Sequence, residues 1–207
     1  MIIEKCGLPF QRGTTFSQAG KDGTGAMVTL SDTIAKNLEG RLYQVPDTIH
    51  NTGHFITLRI VKNDSGATMA VARKFLTFTT ASVSDWGRRV LAIAGDNQGE
   101  RCKPMDDAYF YGTENTSTHA VMTTIADDDL FYVVEEGPCL VETASDSELG
   151  AADQGIPVTT DGDGRVELAV AGDAVNGIML ASPVAASTAA TANLIYVRAG
   201  VVVDVTA

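Results

Sequence analysis

Apolar and polar positions alternate with a period of two along most of the chain. The clearest case is residues 55–61, where Ile56, Leu58 and Ile60 face one way and Thr57 and Arg59 the other. That spacing predicts a strand with one buried face. Residues 42–45 make a shorter run that ends at Pro46, and Asn63-Asp64-Ser65-Gly66 is a turn cluster. Strands are expected at 68–72 and 74–79. Residues 84–94 read two ways. Ser84 caps a helix carrying Trp86, Val90 and Leu91, or Arg89 to Ala94 form a buried strand; Gly87 weakens the helix and favours the strand. Gly95-Asp96-Asn97 then turns the chain.

The same rhythm continues. Residues 108–111 form a short aromatic run and 119–125 a strand, which Asp127-Asp128-Asp129 breaks. Strands at 130–135 and 139–143 are expected to meet at a tight corner, Glu136-Gly137-Pro138. After a polar loop at 144–155 come two β runs, 157–160 and 165–170, around Asp161-Gly162-Asp163-Gly164. Asp-Gly pairs reach positive φ cheaply, so this tetrapeptide predicts a hairpin. Val166, Leu168 and Val170 are expected on its buried face. Ala171-Gly172-Asp173 is a further turn, 177–181 a strand, 185–192 a small-residue linker, and 194–198 and 201–206 a closing pair. About a dozen short strands with turn chemistry between them define an all-β chain, a barrel or sandwich.

The first 40 residues break the pattern. They hold six of the 20 glycines and read as an extended arm. One short helix is expected at 33–39, with Asp32 as N-cap, Ile34 and Leu38 as its apolar pair and Gly40 as its stop. Three units follow from this: an arm at 1–40, a β-rich middle region at 41–126 and a C-terminal β-barrel domain at 127–207. Leu8, Phe10 and Phe16 are the candidate partner-contact residues of the arm. They anchor it on another molecule or tuck onto the protein's own barrel, and the residues alone leave both open.

Composition narrows the functions. The 207-residue chain is 44% hydrophobic and 20% charged, which is globular. Its net charge of −11 opposes binding to phosphate backbones, so no nucleic-acid partner is expected. No apolar run approaches the roughly 20 residues of a membrane-spanning helix, and the N-terminus lacks the apolar stretch of a signal peptide. Cys6, Cys102 and Cys139 are odd in number and far apart, so reduced thiols are expected rather than a zinc or redox pair.

Candidate chemistry is sparse. The G-x-S-x-G, H-E-x-x-H and P-loop patterns are missing. His50 and His54 have helical metal-ligand spacing, but Asn51-Thr52-Gly53 between them is a turn, so both are expected as exposed loop histidines. His119 reads as a strand residue. Asp127–129 and Asp161/Asp163 lack the ligand spacing of a calcium loop; the first reads as a solvated strand-breaking loop and the second as a turn. No catalytic residue, metal or cofactor is expected.

The closing third resembles the small β-domain of tailed-bacteriophage capsid decoration (cement) proteins. The likeness lies in Leu130-Phe-Tyr-Val-Val-Glu-Glu-Gly-Pro-Cys-Leu-Val, Gln154-Gly-Ile-Pro-Val, Asp161-Gly-Asp-Gly-Arg-Val, Ala171-Gly-Asp-Ala-Val-Asn-Gly-Ile-Met-Leu and Ile195-Tyr-Val-Arg. The middle region, from Leu38-Glu-Gly-Arg-Leu-Tyr-Gln-Val through Leu58-Arg-Ile-Val-Lys-Asn-Asp-Ser-Gly, looks like virion proteins of the same kind. The resemblance covers about half the chain. It implies a β-barrel or β-tulip body, a homotrimer, the major capsid protein as partner and a place on the outer capsid surface. No catalytic residues come with it. The rivals are another virion component, such as a head-fibre base or tail adhesion protein, and a carboxylate-dependent hydrolase.

Overall fold

The computed structural model describes residues 7–10, 12–13, 15–16, 37–80, 86–107, 109–110, 120–121, 124–144, 154–180 and 191–201. The chain is all-β. Its strands are β1 (Leu42–Pro46), β2 (Phe55–Asn63), β3 (Met69–Ala70), β4 (Phe75–Phe78), β5 (Arg89–Ile93), β6 (Cys102–Pro104), β7 (Tyr109–Phe110) and β8 (Ala120–Val121). They continue with β9 (Thr124–Ile125), β10 (Leu130–Thr143), β11 (Pro157–Thr160), β12 (Val166–Leu168), β13 (Val175–Met179) and β14 (Thr191–Val201). Among the described residues, helix is confined to single turns, one of them the 3-10 turn Gly99–Arg101.

One sheet organises the molecule. Its order is β12-β11-β13-β14-β10-β2-β5-β4-β6, with β1 also on β2. β12 returns to β10 in parallel through Thr143 and Val166. That last pairing closes β10, β14, β13, β11 and β12 into a five-strand barrel. Each barrel strand has a neighbour on both sides, so no open edge remains in the barrel.

β10 belongs to both halves. Residues from Leu130 to Glu136 pair with β2, and residues from Gly137 to Thr143 pair with β14. The expected corner at Glu136-Gly137-Pro138 is therefore not a turn between two strands. It is a bulge within one 14-residue strand, where the register shifts between Val134 and Glu136. Gly137 permits the bend. Its φ is +120°, and a Cβ there would lie 2.7 Å from the carbonyl oxygen of Phe55. A bulge re-aims a strand without ending it, which a glycine-proline pair in the sequence does not distinguish from a turn.

Both faces of β10 are buried. Leu130, Tyr132 and Val134 enter one core with Ile56, Leu58 and Ile60 of β2, and that core runs on into the barrel through Val158, Val166, Met179 and Ile195. Phe131 and Val133 face a second core with Val61, Leu76, Phe78 and Val90. Burial on both faces explains why residues 130–134 are continuously apolar rather than alternating.

The hairpin at 161–164 forms as expected. Val158, Thr159 and Thr160 pair with Leu168, Glu167 and Val166. The Asp161 carboxylate accepts from the backbone N–H groups of Asp163 (2.9 Å) and Arg165 (2.7 Å). Gly164 carries the positive φ, +72°, and its carbonyl accepts from Phe75 N at 2.7 Å, which docks the turn onto β4. Val170 departs from expectation and is 59% exposed. The Asp173 carboxylate accepts from Val170 N, and Asp173 N donates back to Val170 O, so the turn begins before Val170 can enter the strand.

Arg89–Ile93 form a strand, β5, but not the buried one expected: Val90 enters the core while Leu91 is 41% exposed; Ser84 lies outside the described residues. The expected strand at 68–72 is shorter, β3, and pairs with β9. Of the expected helix at 33–39 only the last residues are described; a helical turn at 37–38 ends at Gly40. The expected closing pair, 194–198 and 201–206, is one continuous strand as far as it is described, β14, which also takes in residues 191–192 of the expected linker. Most of the expected arm, the linker at 185–190, residues 202–206, Cys6 and His119 lie outside the described residues. No helix among the described residues is long and apolar enough to cross a membrane.

Candidate functional site

The three partner-contact candidates of the leading segment lie against the protein's own core. Phe16 is 7% exposed, and its backbone exchanges hydrogen bonds with Leu130 at 2.7 and 2.9 Å. The Phe10 ring stacks on Tyr132 with centroids 4.4 Å apart, and the Tyr132 hydroxyl donates to Phe10 O. Leu8 is partly buried against the same core. Between them the buried Arg12 guanidinium grips Asp106 with both arms, Nε to Oδ2 at 2.9 Å and Nη2 to Oδ1 at 2.7 Å. The described part of this segment therefore packs onto the protein's own core, one of the two placements its residues left open. The gap of 94 residues between Arg12 and Asp106 hides that pairing from the sequence.

His50 is not an exposed loop histidine. Its side chain is 6% exposed and sits between two carboxylates, with Nδ1 3.1 Å from Asp47 Oδ1 and Nε2 2.8 Å from Asp107 Oδ2. Asp47 organises the loop between β1 and β2. Its carboxylate accepts from the backbone N–H of Ile49, His50 and Thr52 and from the Thr52 hydroxyl. Asp107 ties that loop to β10 by also accepting from Leu140 N at 2.8 Å. Burial by itself disfavours the imidazolium, but Asp107 and then Asp47 more than offset this and raise the His50 pKa above its ordinary 6.5. Burial would likewise raise Asp47, yet the hydrogen bonds from His50 and Thr52 lower it below 3.8.

Both ring nitrogens of His50 are engaged by carboxylates, so the cluster clamps the β1–β2 loop to Asp107. The nearby thiol of Cys139 is fully buried, and burial pushes its pKa well up, which removes the nucleophilic thiolate. Burial also pushes the Cys102 thiol up to about 12. Half of the clamp had a sequence signal: an Asp three residues before His50 in a turn is a side-chain cap. Asp107 had none.

The acidic clusters are structural. Asp128 (φ +66°) closes the turn before β10, and Lys62 Nζ reaches Asp128 at 2.6 Å and Asp64 at 3.1 Å. Among the described residues no group of three or more His, Cys, Asp or Glu is placed to hold a metal ion.

Two surface features adjoin each other at the β1–β2 hairpin. Leu42 is 54% exposed and Phe55 58%. In the β1–β2 register Leu42 opposes Arg59 and Pro46 opposes Phe55, so Leu42, Pro46 and Phe55 share the outer face of one hairpin. Beside it, a cleft of about 660 Å³ opens where His54, Glu136 and Arg198 surround Tyr196 and Ile178 on the barrel's outer wall. His54 and Tyr196 meet edge to face at 5.3 Å. The chain matches no family model and no curated protein.

Proposed function

We propose that this protein is a non-enzymatic structural component of a virion, a decoration protein that binds the outer capsid surface and bridges neighbouring capsomers as a homotrimer. The observation that carries the reading is the pair of large apolar side chains, Leu42 and Phe55, held exposed on one face of a hairpin that is itself rigidly hydrogen-bonded into the central sheet. Exposed apolar surface on an otherwise acidic protein marks a contact surface. The turn and strand rhythm of the closing third of the sequence, which resembles that of cement proteins, supports the same reading.

Leu8, Phe10 and Phe16 pack onto the protein's own core, one of the two placements their residues left open. The reading therefore assigns the capsid contact to the β1–β2 face. The major capsid protein is the partner. Burying a phenylalanine is worth about 1.5–3 kcal/mol, or roughly ten- to a hundredfold in affinity. Co-sedimentation with assembled empty shells tests this. Leu42→Ser with Phe55→Ser is expected to weaken shell binding at least about tenfold while leaving thermal unfolding unchanged. Binding equal to the unaltered protein would reject the surface; absence of shell binding by the unaltered protein would reject the function.

A further inference from the structure

The cleft beside the hairpin lies outside this capsid-binding role, and its chemistry is specific. Its floor is the outer wall of the barrel, where Tyr196 of β14 lies directly across from Pro138 of β10 and Ile178 of β13. Around that apolar and aromatic floor stand His54, Glu136, Gln154 and Arg198. Glu136, Arg198, Gln154 and His54 are all exposed at the surface. The volume of about 660 Å³ falls in the range of about 300–1,000 Å³ that small-molecule sites occupy.

Charge and backbone geometry restrict the occupant. Glu136 and Arg198 carry opposite charges that cancel, so the cleft does not select a strong anion or cation. The net charge of −11 on the whole chain further disfavours anions. An extended peptide would need free main-chain groups to pair with. The strands of the floor offer none: β14 is hydrogen-bonded to β10 on one side and β13 on the other, and β13 to β14 and β11. What is offered is an acceptor-only carboxylate, a donor-only guanidinium, groups able to do both, and a ring. That set matches a neutral ligand with apolar faces and many hydroxyl groups, each able to donate and accept.

We infer that this cleft is a binding site for a neutral oligosaccharide, with Tyr196 and Ile178 as the platform and Glu136, Arg198, Gln154 and His54 as the hydroxyl-reading groups. Such a site gives a shell-bound protein a means of holding polysaccharide. It does not depend on the shell contact, because the β1–β2 face and the cleft use different side chains.

The test is an NMR titration of the full chain with maltohexaose, cellohexaose and chitohexaose as neutral probes, an oligogalacturonate as anionic probe and a neutral hexapeptide. Saturable shifts are expected at Tyr196, Ile178 and His54 with at least one neutral sugar. Glu136→Gln and Arg198→Gln, both at exposed positions that leave the core intact, should each weaken that binding about tenfold. No saturable shift with any of the three neutral sugars at about 10 mM, where even millimolar binders saturate, overturns the inference. So does tighter binding of the oligogalacturonate or the peptide than of every neutral sugar. Sugar binding that both substitutions leave unchanged also overturns it.

Discussion

His50 shows what a single side chain contributes here. Held between Asp47 and Asp107, it is most useful when charged, because only the imidazolium donates to both carboxylates at once. Its folded pKa is raised, so the stability it supplies is full below the ordinary value of 6.5 and is lost as pH rises through the folded value. Asp47 works on the other side: its folded pKa is lowered, so its contribution holds above 3.8 and is lost as pH falls through the folded value. Thermal unfolding measured from pH 6 upward should therefore show a loss of stability that His50→Gln removes. Identical pH profiles for the two proteins would show that His50 does not clamp the loop. A turn composition does not by itself mean exposure, so the burial of His50 is not legible in its neighbours. Asn51-Thr52-Gly53 is indeed a turn, with Asn51 at φ +55° and Gly53 at φ +74°. Burial of its neighbour depends on Asp107, 57 residues away, and no local pattern encodes that contact.

At the scale of elements, turns and strand faces were legible because they are local. The Asp161–Gly164 hairpin is written in its own side chains: a carboxylate that accepts two backbone N–H groups and a glycine at positive φ. The continuity of β10 was not legible. A bulge with Gly137-Pro138 and a two-strand corner share the same residues, and only the pairing of each half with a different neighbour separates them. Lys103 secures that bend: its buried ammonium donates to the carbonyls of Glu135 and Arg198, both at 3.2 Å. Burial lowers the Lys103 pKa despite Glu135 beside it. Gly137→Ala should destabilise the fold by about 1–3 kcal/mol, from an unfavourable φ and a Cβ forced against Phe55 O. Urea unfolding checks this; a midpoint unchanged from the parent would mean the bend tolerates a side chain. Closure of the barrel was equally hidden, since it rests on the parallel contact of Thr143 with Val166.

For the whole molecule, β10 makes the barrel and the middle sheet share one core, and the leading segment is fastened to it. Removing one partner of a buried ion pair leaves the other charge uncompensated, so Arg12→Ala should cost about 3–5 kcal/mol. Replacing both partners, Arg12→Met with Asp106→Leu, should recover much of that loss in the same denaturation assay. A single cooperative unfolding transition is expected for barrel and middle sheet together, and two separated transitions would contradict the shared core. Function at this scale depends on how the rigid body meets other molecules. Sequence rhythm made the all-β class legible, but it left open whether Leu8, Phe10 and Phe16 meet a partner or the protein's own core. The exposed Leu42–Phe55 face becomes visible only once the β1–β2 register is known. A cryo-EM map of shells incubated with the protein tests the functional reading most directly. Icosahedrally ordered copies on the outer surface, as trimers with the β1–β2 face against the capsid, are the predicted result. A shell without such density, or density with that face turned to solvent, would contradict it.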